Sequence, residues 1–218
     1  MENQELKCPQ FLNFLKETIQ TENEIAIVQE FFGYCFLTEN RFEKFLVLLG
    51  PGCDGKSTLM GVLHEMLGRD KCSRLSIRDL DDHFSRAQLQ GKYVNLFPEI
   101  VDQLDFGSFK MILHGNGIPA AIKHQKCFVF DSHCKFVFKT NYLPEHWTQY
   151  NGINSRALVV TFKQRFLSGS KTSPPDYFLI DKLLTEMPGI YKWAMDGLTR
   201  LLSNAKFTDH VSCVQNVA

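Results

Sequence analysis

The fold is decided by the stretch Phe45-Leu46-Val47-Leu48-Leu49-Gly50-Pro51-Gly52-Cys53-Asp54-Gly55-Lys56-Ser57. Its opening run of five apolar residues is typical of a parallel strand covered on both faces. The eight residues that follow match the pattern G-x-x-x-x-G-K-[ST], in which backbone N–H groups surround phosphate oxygens. Residues 58–67 then show a helical apolar pattern, with Gly68 at its expected end. Strand, loop and helix together predict an α/β fold that binds a nucleoside triphosphate, and they disfavour an accidental match by a glycine-rich turn.

The length of 218 residues suits one α/β core with small helical additions better than two independent domains. We expect a helical lead-in at 1–40, a P-loop ATPase core with a basic hairpin at 41–166, and a linker with C-terminal helices at 167–218. Apolar residues at 44% and charged residues at 22% are ordinary for a globular protein and exclude a disordered chain. No apolar run approaches the length that crosses a bilayer, so no membrane partner is expected.

The start of the chain and its cysteines bear on location. Met1-Glu2-Asn3-Gln4-Glu5 is acidic and polar, unlike the basic and apolar regions of a secretion signal. Seven cysteines, an odd number, are scattered without a Cys-x-x-Cys pair, which favours reduced thiols. We therefore expect a cytoplasmic location.

Charge is segregated along the chain although the formal net charge is zero. Residues 79–105 hold six acids against two basic residues, whereas residues 110–139 hold five lysines and three histidines against one acid. The first segment suits a metal ion and the second suits phosphates.

The remaining pattern predicts helices on both faces of a sheet. Two helices are expected within 9–37, and Thr21 with Glu24 forms a capping box at the start of the second. Further core strands are predicted at 92–96, 135–140 and 157–162, a helix at 106–114, and a hairpin over 118–130. We expect a polar loop at 151–156, an exposed linker at 168–175, and C-terminal helices at 176–187 and 190–203, separated by Pro188-Gly189.

Hydrolysis of a triphosphate needs a phosphate cradle, a metal ion, an acid and positive charge near the reacting phosphoryl group. Lys56 would reach the outer phosphates and Ser57 would ligate Mg²⁺. Glu99 follows an apolar strand, where it would polarise water or support the metal; the alternative is a solvated carboxylate at a strand end. Asn141 also follows a strand and would hydrogen-bond the γ-phosphate and the attacking water, unless it is a turn asparagine.

Taken in order, these motifs resemble superfamily 3 helicases, and above all the helicase portion of phage, plasmid and poxvirus-type primase-helicases. The resemblance spans nearly the whole chain. It is carried by Gly50 to Ser57, Gly91-Lys92 with Glu99, Phe109-Lys110 through Gly115 to Lys123, Lys135 to Pro144, and Trp193 to Leu198. It implies an AAA+ type ATPase that uses ATP and Mg²⁺, assembles as a ring, usually a hexamer, and moves on single-stranded or forked DNA in replication of a mobile element.

On this resemblance the catalytic residues are Lys56, Glu99, Asn141 and Arg156, with Ser57 and Glu99 at the metal. The predicted ATP-binding residues are Gly50, Pro51, Gly52, Cys53, Asp54, Gly55, Lys56, Ser57 and Thr58. Arg156 precedes the last core strand, where relatives carry an arginine donated to the neighbouring subunit's ATP site. Ser155 stands where many relatives have a second arginine, so Arg165 and a surface salt bridge remain alternatives for this position.

The hairpin tip would line the central pore of such a ring. Lys123, His124 and Lys126 would contact the DNA backbone there, in a way that does not depend on sequence. A solvated hairpin turn is the alternative.

Two departures from the family affect the interpretation. Asp54 adds a negative charge at a position that is commonly Asn in relatives, which would reduce ATP affinity. Relatives usually carry a primase or another nucleic-acid domain upstream, so a primase domain or protein is an expected partner. The alternatives to a motor are an ATP-controlled DNA-binding oligomer with little turnover and a nucleotide or small-molecule kinase.

Overall fold

The computed structural model describes residues 6–97, 106–143, 151–167 and 174–209. The strands are β1 (Phe45–Leu49), β2 (Cys72–Ser73), β3 (Val94–Phe97), β4 (Ile118–Ala120), β5 (Phe128–Phe130), β6 (Lys135–Thr140) and β7 (Ala157–Thr161). The α-helices are α1 (Pro9–Thr18), α2 (Glu22–Tyr34), α3 (Lys56–Leu67), α4 (His83–Arg86), α5 (Phe106–His114), α6 (Asn151–Asn154), α7 (Leu179–Leu184) and α8 (Met187–Asn204). Short 3₁₀ turns lie at Arg69–Lys71, Asp79–Asp81 and Ala87–Leu89.

Five of the strands in the described ranges form one sheet in the order β2-β3-β6-β1-β7. Every neighbouring pair in this sheet is parallel. In β1, Leu46 lies opposite Val137 of β6 and Leu158 of β7. Because all five strands run the same way, their carboxyl ends meet at one edge, and the loop after β1 begins at that edge.

Successive side chains of the strands point to opposite faces of the sheet and belong to two separate hydrophobic cores. Leu46 and Leu48 of β1 pack with α1, α2, α3 and α8 on one face of the sheet. Phe45 and Val47 pack with α5 and the β4–β5 hairpin on the other. The predicted α/β fold with helices on both faces is therefore confirmed.

The lead-in helices and the C-terminal helices pack together on the first face. Thr21 and Glu24 form the predicted capping box at the start of α2. The carboxylate of Glu186, just before α8, accepts hydrogen bonds from the backbone N–H groups of Gln10 and Phe11 at 3.1 and 3.0 Å. These donors lie in the first turn of α1, where no partner exists within the helix. Glu186, in the C-terminal segment, thus caps the first helix of the lead-in. The division into segments at 1–40, 41–166 and 167–218 stays a prediction.

Three sequence-based predictions need correction. The expected polar loop at 151–156 contains helix α6. Pro188 does not separate the C-terminal helices; it lies in the first turn of α8, where its missing N–H is not needed. Strand β3 begins two residues later than predicted, at Val94. Most of the predicted linker, 168–173, lies outside the described residues. No helix within the described ranges has the length and apolarity of a membrane span.

Candidate active site

The loop between β1 and α3 has the backbone shape that its glycines allow. Gly52 and Gly55 have φ values of +96° and +97°, which side-chain-bearing residues rarely adopt. Gly55 is the residue before α3, so the turn there aims the first N–H groups of the helix toward the loop. A helix start of this kind favours anionic ligands.

A cavity of about 1450 Å³ opens at this edge of the sheet. It exceeds the roughly 300–1,000 Å³ of an ordinary small-molecule site, which leaves room for a nucleotide. The wall is formed by the loop and start of α3 at 52–58, the end of β6 at 139–141, one side of α1, residues 166–167, and the segment 174–182. Gly50 and Pro51, both predicted to bind ATP, do not line it.

Asp54 and Lys56 form a buried ion pair inside the loop. Lys56 Nζ lies 2.5 Å from Asp54 Oδ2 and donates to the carbonyl oxygen of Gly50 at 2.7 Å. The Asp54 carboxylate also accepts the backbone N–H groups of Gly52, at 3.2 Å, and of Lys56, at 3.4 Å. Both side chains are nearly inaccessible, at 5% for Lys56 and 2% for Asp54. The carboxylate expected to reduce ATP affinity therefore contacts the lysine expected to bind ATP.

A second lysine reaches the loop from the sheet. Lys139, on β6, donates from Nζ to Ser57 Oγ at 2.8 Å. Asn141, just past the end of β6, is exposed and lines the cavity. Its Oδ1 lies 4.0 Å from the position that a Cβ of Gly52 would occupy. Lys139, Asn141 and the loop thus meet at one end of the cavity, the end where phosphates are expected.

The donors at this end fit a polyphosphate, since they combine two lysines, a hydroxyl and the start of a helix. Ser57 offers the hydroxyl that would hold Mg²⁺. Glu99, the second predicted metal ligand, lies outside the described residues. Within the described ranges, no cluster of three or more His, Cys, Asp or Glu side chains could hold a metal ion.

Arg156 lies far from this cavity. It precedes β7, whose amino end is at the opposite edge of the parallel sheet. Its Nε and Nη2 donate to Glu43 Oε2 at 3.0 and 2.6 Å, and His114 Nδ1 lies 2.8 Å from Glu43 Oε1. The hydrogen bonds from His114 and Arg156 lower the pKa of the Glu43 carboxyl. Within one chain, Arg156 therefore makes a salt bridge, the alternative named for this position.

Arg165 has different surroundings. It follows β7 on the side of the cavity and is exposed. The next residue, Phe166, lines the cavity and donates its backbone N–H to the Cys53 carbonyl at 2.7 Å.

The predicted basic hairpin is present. Strands β4 and β5 are antiparallel and pair Ile118 with Phe130. Lys123, His124 and Lys126 at the tip are exposed, and none of them lines the cavity.

Sequence reasoning missed four parts of the cavity wall: the last residues of β6, helix α1, residues 166–167 and the segment 174–182. Lys139 was placed in the strand at 135–140 and in a basic segment but was given no role in the site, and its partner Ser57 lies 82 positions away along the chain. Helix α1 was expected only to lead into the core, yet Asn13, Phe14 and Glu17 line the cavity. The polar residues of α1 between its apolar positions indicate a face exposed to solvent, but they do not show that this face lies against the cavity.

The sequence and the fold both resemble those of known proteins. The family model described as "Family of unknown function (DUF5906)" matches residues 48–156, half of the chain. The "Putative helicase L207/L206" of Acanthamoeba polyphaga mimivirus is 26% identical over an alignment of 191 residues, and the match covers 79% of this chain and 20% of that protein.

Among solved structures, two apo forms of the NrS-1 C-terminal region (305–718) share this fold. They superpose with TM-scores of 0.63 and 0.65 at 14% identity, covering 93% of this chain and 51% and 52% of those chains. The chain thus spans about a fifth of the mimivirus protein and about half of each solved chain.

Proposed function

The chain belongs to DUF5906, a family of unknown function, and from its site we propose that it is an ATP-hydrolysing motor module of helicase type. The observation that carries the proposal is the convergence of Lys56, Ser57, Lys139 and Asn141 on one cavity, beside the loop between β1 and α3. Cations and helix N–H groups at this place would bind the phosphates of ATP. Ser57 would ligate Mg²⁺, and Asn141 would orient the attacking water. Bound Mg²⁺ would neutralise charge on the phosphates.

The assignment to DNA is supported by the resemblance to the mimivirus protein and by the hairpin. Lys123, His124 and Lys126 are exposed together at one tip, and the charges of the two lysines would contact phosphates there without sequence readout. Superfamily 3 membership and a part in replication of a mobile element belong to the same proposal.

Ring assembly is the further part of the proposal. Arg156 lies at the edge of the sheet opposite its own cavity, so it could act only on the cavity of a neighbouring subunit. Its bond to Glu43 would then have to break on assembly. Arg165, exposed beside the cavity, is the second candidate for a cation contributed to the ATP site.

A second candidate function is favoured by the ion pair of Asp54 with Lys56. If the carboxylate keeps Lys56 in the loop, ATP would bind without efficient hydrolysis, and the site would control oligomerisation on DNA. This chain would then be an ATP-controlled DNA-binding oligomer.

The test is an ATPase assay with and without single-stranded DNA, on protein whose oligomeric mass is measured in the same buffer. We expect turnover that rises with DNA, and its loss in Lys56→Ala. The matched control is Lys192→Gln, which removes a lysine paired with Asp196 on the exposed side of α8. ATP binding without turnover in an assembled ring would favour the second candidate. Absence of ATP binding by the wild-type protein would refute both.

A further inference from the structure

The two lysines at the phosphate end of the cavity have unequal surroundings. Lys56 is the lysine of the loop pattern, yet its Nζ lies between a carboxylate and a carbonyl oxygen in a nearly inaccessible position. To reach a phosphate, Lys56 must leave Asp54 or share its charge with it. Separating a buried pair leaves a charge without compensation, which is costly.

Lys139 is more accessible. Its Nζ donates to the hydroxyl of Ser57 at 2.8 Å, and its side chain lines the cavity. Exchanging a neutral hydroxyl acceptor for a phosphate oxygen turns this hydrogen bond into a charge-assisted one at both ends, which is stronger. The exchange also releases Ser57 Oγ, the atom that would ligate Mg²⁺.

We propose that Lys139 is a phosphate-binding residue. It provides positive charge to the phosphates in place of Lys56, whose own charge is neutralised by the Asp54 carboxylate. The ligand is the terminal phosphates of a nucleoside triphosphate, so the inference rests on the proposed function. Lys139 moves from Ser57 to the phosphates on binding, while Asp54 remains paired with Lys56 in the loop and partly neutralises it. Nucleotide affinity therefore depends on Lys139 at least as strongly as on the loop lysine.

The experiment measures dissociation constants of Mg·ATP and of AMP by calorimetry on the full chain. The variants are Lys139→Gln, Lys139→Arg, Asp54→Asn, the double variant Asp54→Asn/Lys139→Gln, and Lys56→Ala. Lys192→Gln is again the control for loss of one surface charge. Thermal unfolding of every variant is recorded in the same buffer.

We expect Lys139→Gln to weaken Mg·ATP binding by about tenfold to a hundredfold, the range for loss of one charge-assisted hydrogen bond. AMP, which lacks the terminal phosphates, should bind nearly unchanged. Lys139→Arg should stay within about threefold of the wild type, because the charge is retained and Lys139 Nζ makes one hydrogen bond here, to Ser57 Oγ, not a bidentate contact. In the Asp54→Asn background, where Lys56 is released, the loss caused by Lys139→Gln should be at least about threefold smaller.

Several results would overturn the proposal. If Lys139→Gln binds Mg·ATP like the wild type while Lys56→Ala does not bind, nucleotide binding stands and the role of Lys139 is refuted. If Lys139→Gln weakens the binding of Mg·ATP and of AMP equally, Lys139 acts through packing and not through the terminal phosphates. If Lys139→Gln weakens Mg·ATP binding equally with Asp54 and with Asn at position 54, Lys139 does not compensate for the neutralisation of Lys56 by Asp54. Should Lys139→Gln fail to fold, a folded Lys139→Arg with weak Mg·ATP binding refutes the proposal. A wild-type protein that binds no Mg·ATP removes the proposed function and this inference together.

Discussion

Two glycines of the loop allow a paired test of how α1 supports the site. Gly52 and Gly55 have nearly equal φ values, +96° and +97°, so an alanine at either position carries a similar backbone penalty. That penalty is about 1–2 kcal/mol. Their surroundings differ. A Cβ on Gly55 would lie 2.9 Å from Phe14 Cε2 and 3.2 Å from Thr18 Cγ2, whereas a Cβ on Gly52 would approach only Asn141 Oδ1, at 4.0 Å.

Phe14 and Thr18 cannot easily move away. They are 4% and 0% exposed, and the Thr18 hydroxyl donates to the Phe14 carbonyl at 2.7 Å. Overpacking of this kind costs about 1–3 kcal/mol. We therefore expect Gly55→Ala to destabilise the protein by about 2–5 kcal/mol and Gly52→Ala by about 1–2 kcal/mol.

Urea unfolding followed by far-ultraviolet circular dichroism measures both values. The control is Phe14→Leu, which removes the ring atoms nearest to Gly55. In that background the cost of Gly55→Ala should fall, while the cost of Gly52→Ala should not. Equal destabilisation by the two alanines, or no relief from Phe14→Leu, would show that α1 does not support the loop. For nucleotide affinity we expect the reverse order: Gly52→Ala should weaken binding more than Gly55→Ala does, because a Cβ on Gly52 faces the cavity while the protein stays folded.

Three further predictions concern charge. Burial lowers the pKa of Lys135 to about 8, so the unfolded chain binds more protons between that pH and about 10.4, and stability rises with pH through this window. Lys135→Met should remove a rise of about 1 kcal/mol between pH 7 and 9 in urea unfolding. Burial raises the pKa of the Cys8 and Cys72 thiols to about 11, which lowers stability as the pH rises, but these thiols are present in the wild type and in Lys135→Met alike. If the free energies of unfolding of the two proteins changed in parallel with pH, the prediction would be contradicted. Glu43→Gln should cost about 1 kcal/mol at pH 7, because Arg156 and Glu43 are only 20% and 26% exposed. Because the pKa of Glu43 is lowered in the folded state, this difference should disappear as the pH falls through its folded value, and a difference that persists at acid pH would assign it to packing. Lys123→Ala with Lys126→Ala should reduce the dependence of single-stranded DNA binding on log[salt] by about 1.4, and an unchanged slope would remove the hairpin from the interface.

The local elements were largely predictable from sequence. Strand β6 and helix α5 have the predicted bounds, because an apolar run or an amphipathic repeat ends at a clear terminator in each case. The capping box of Thr21 with Glu24 was also readable, since its two residues are only three positions apart. Such features depend on neighbours along the chain, which a single sequence displays.

The contacts that shape the site were not predictable in the same way. The sequence places a carboxylate in the loop at Asp54, but the direction of its side chain depends on backbone angles that the adjacent glycines leave open. Likewise, Lys139 and Ser57 come together only because β6 lies beside β1 in the sheet. Arg156 could be assigned to a neighbour's site by resemblance, whereas its bond to Glu43 joins residues 113 positions apart.

The wall of the cavity joins parts of the fold that are far apart in sequence, and this indicates where nucleotide binding would act. The loop is held to the sheet by the backbone hydrogen bond from Gly50 to Thr140, and Phe14 of α1 lies close against Gly55. Helix α1 and the segment 174–182 line the same cavity, and Glu186 ties the first turn of α1 to the start of α8. A ligand that contacts both the loop and these helices would favour the arrangement in which they are docked. Since the same helices cover one face of the sheet, occupancy of the cavity would act first on the packing of the two terminal segments of the fold.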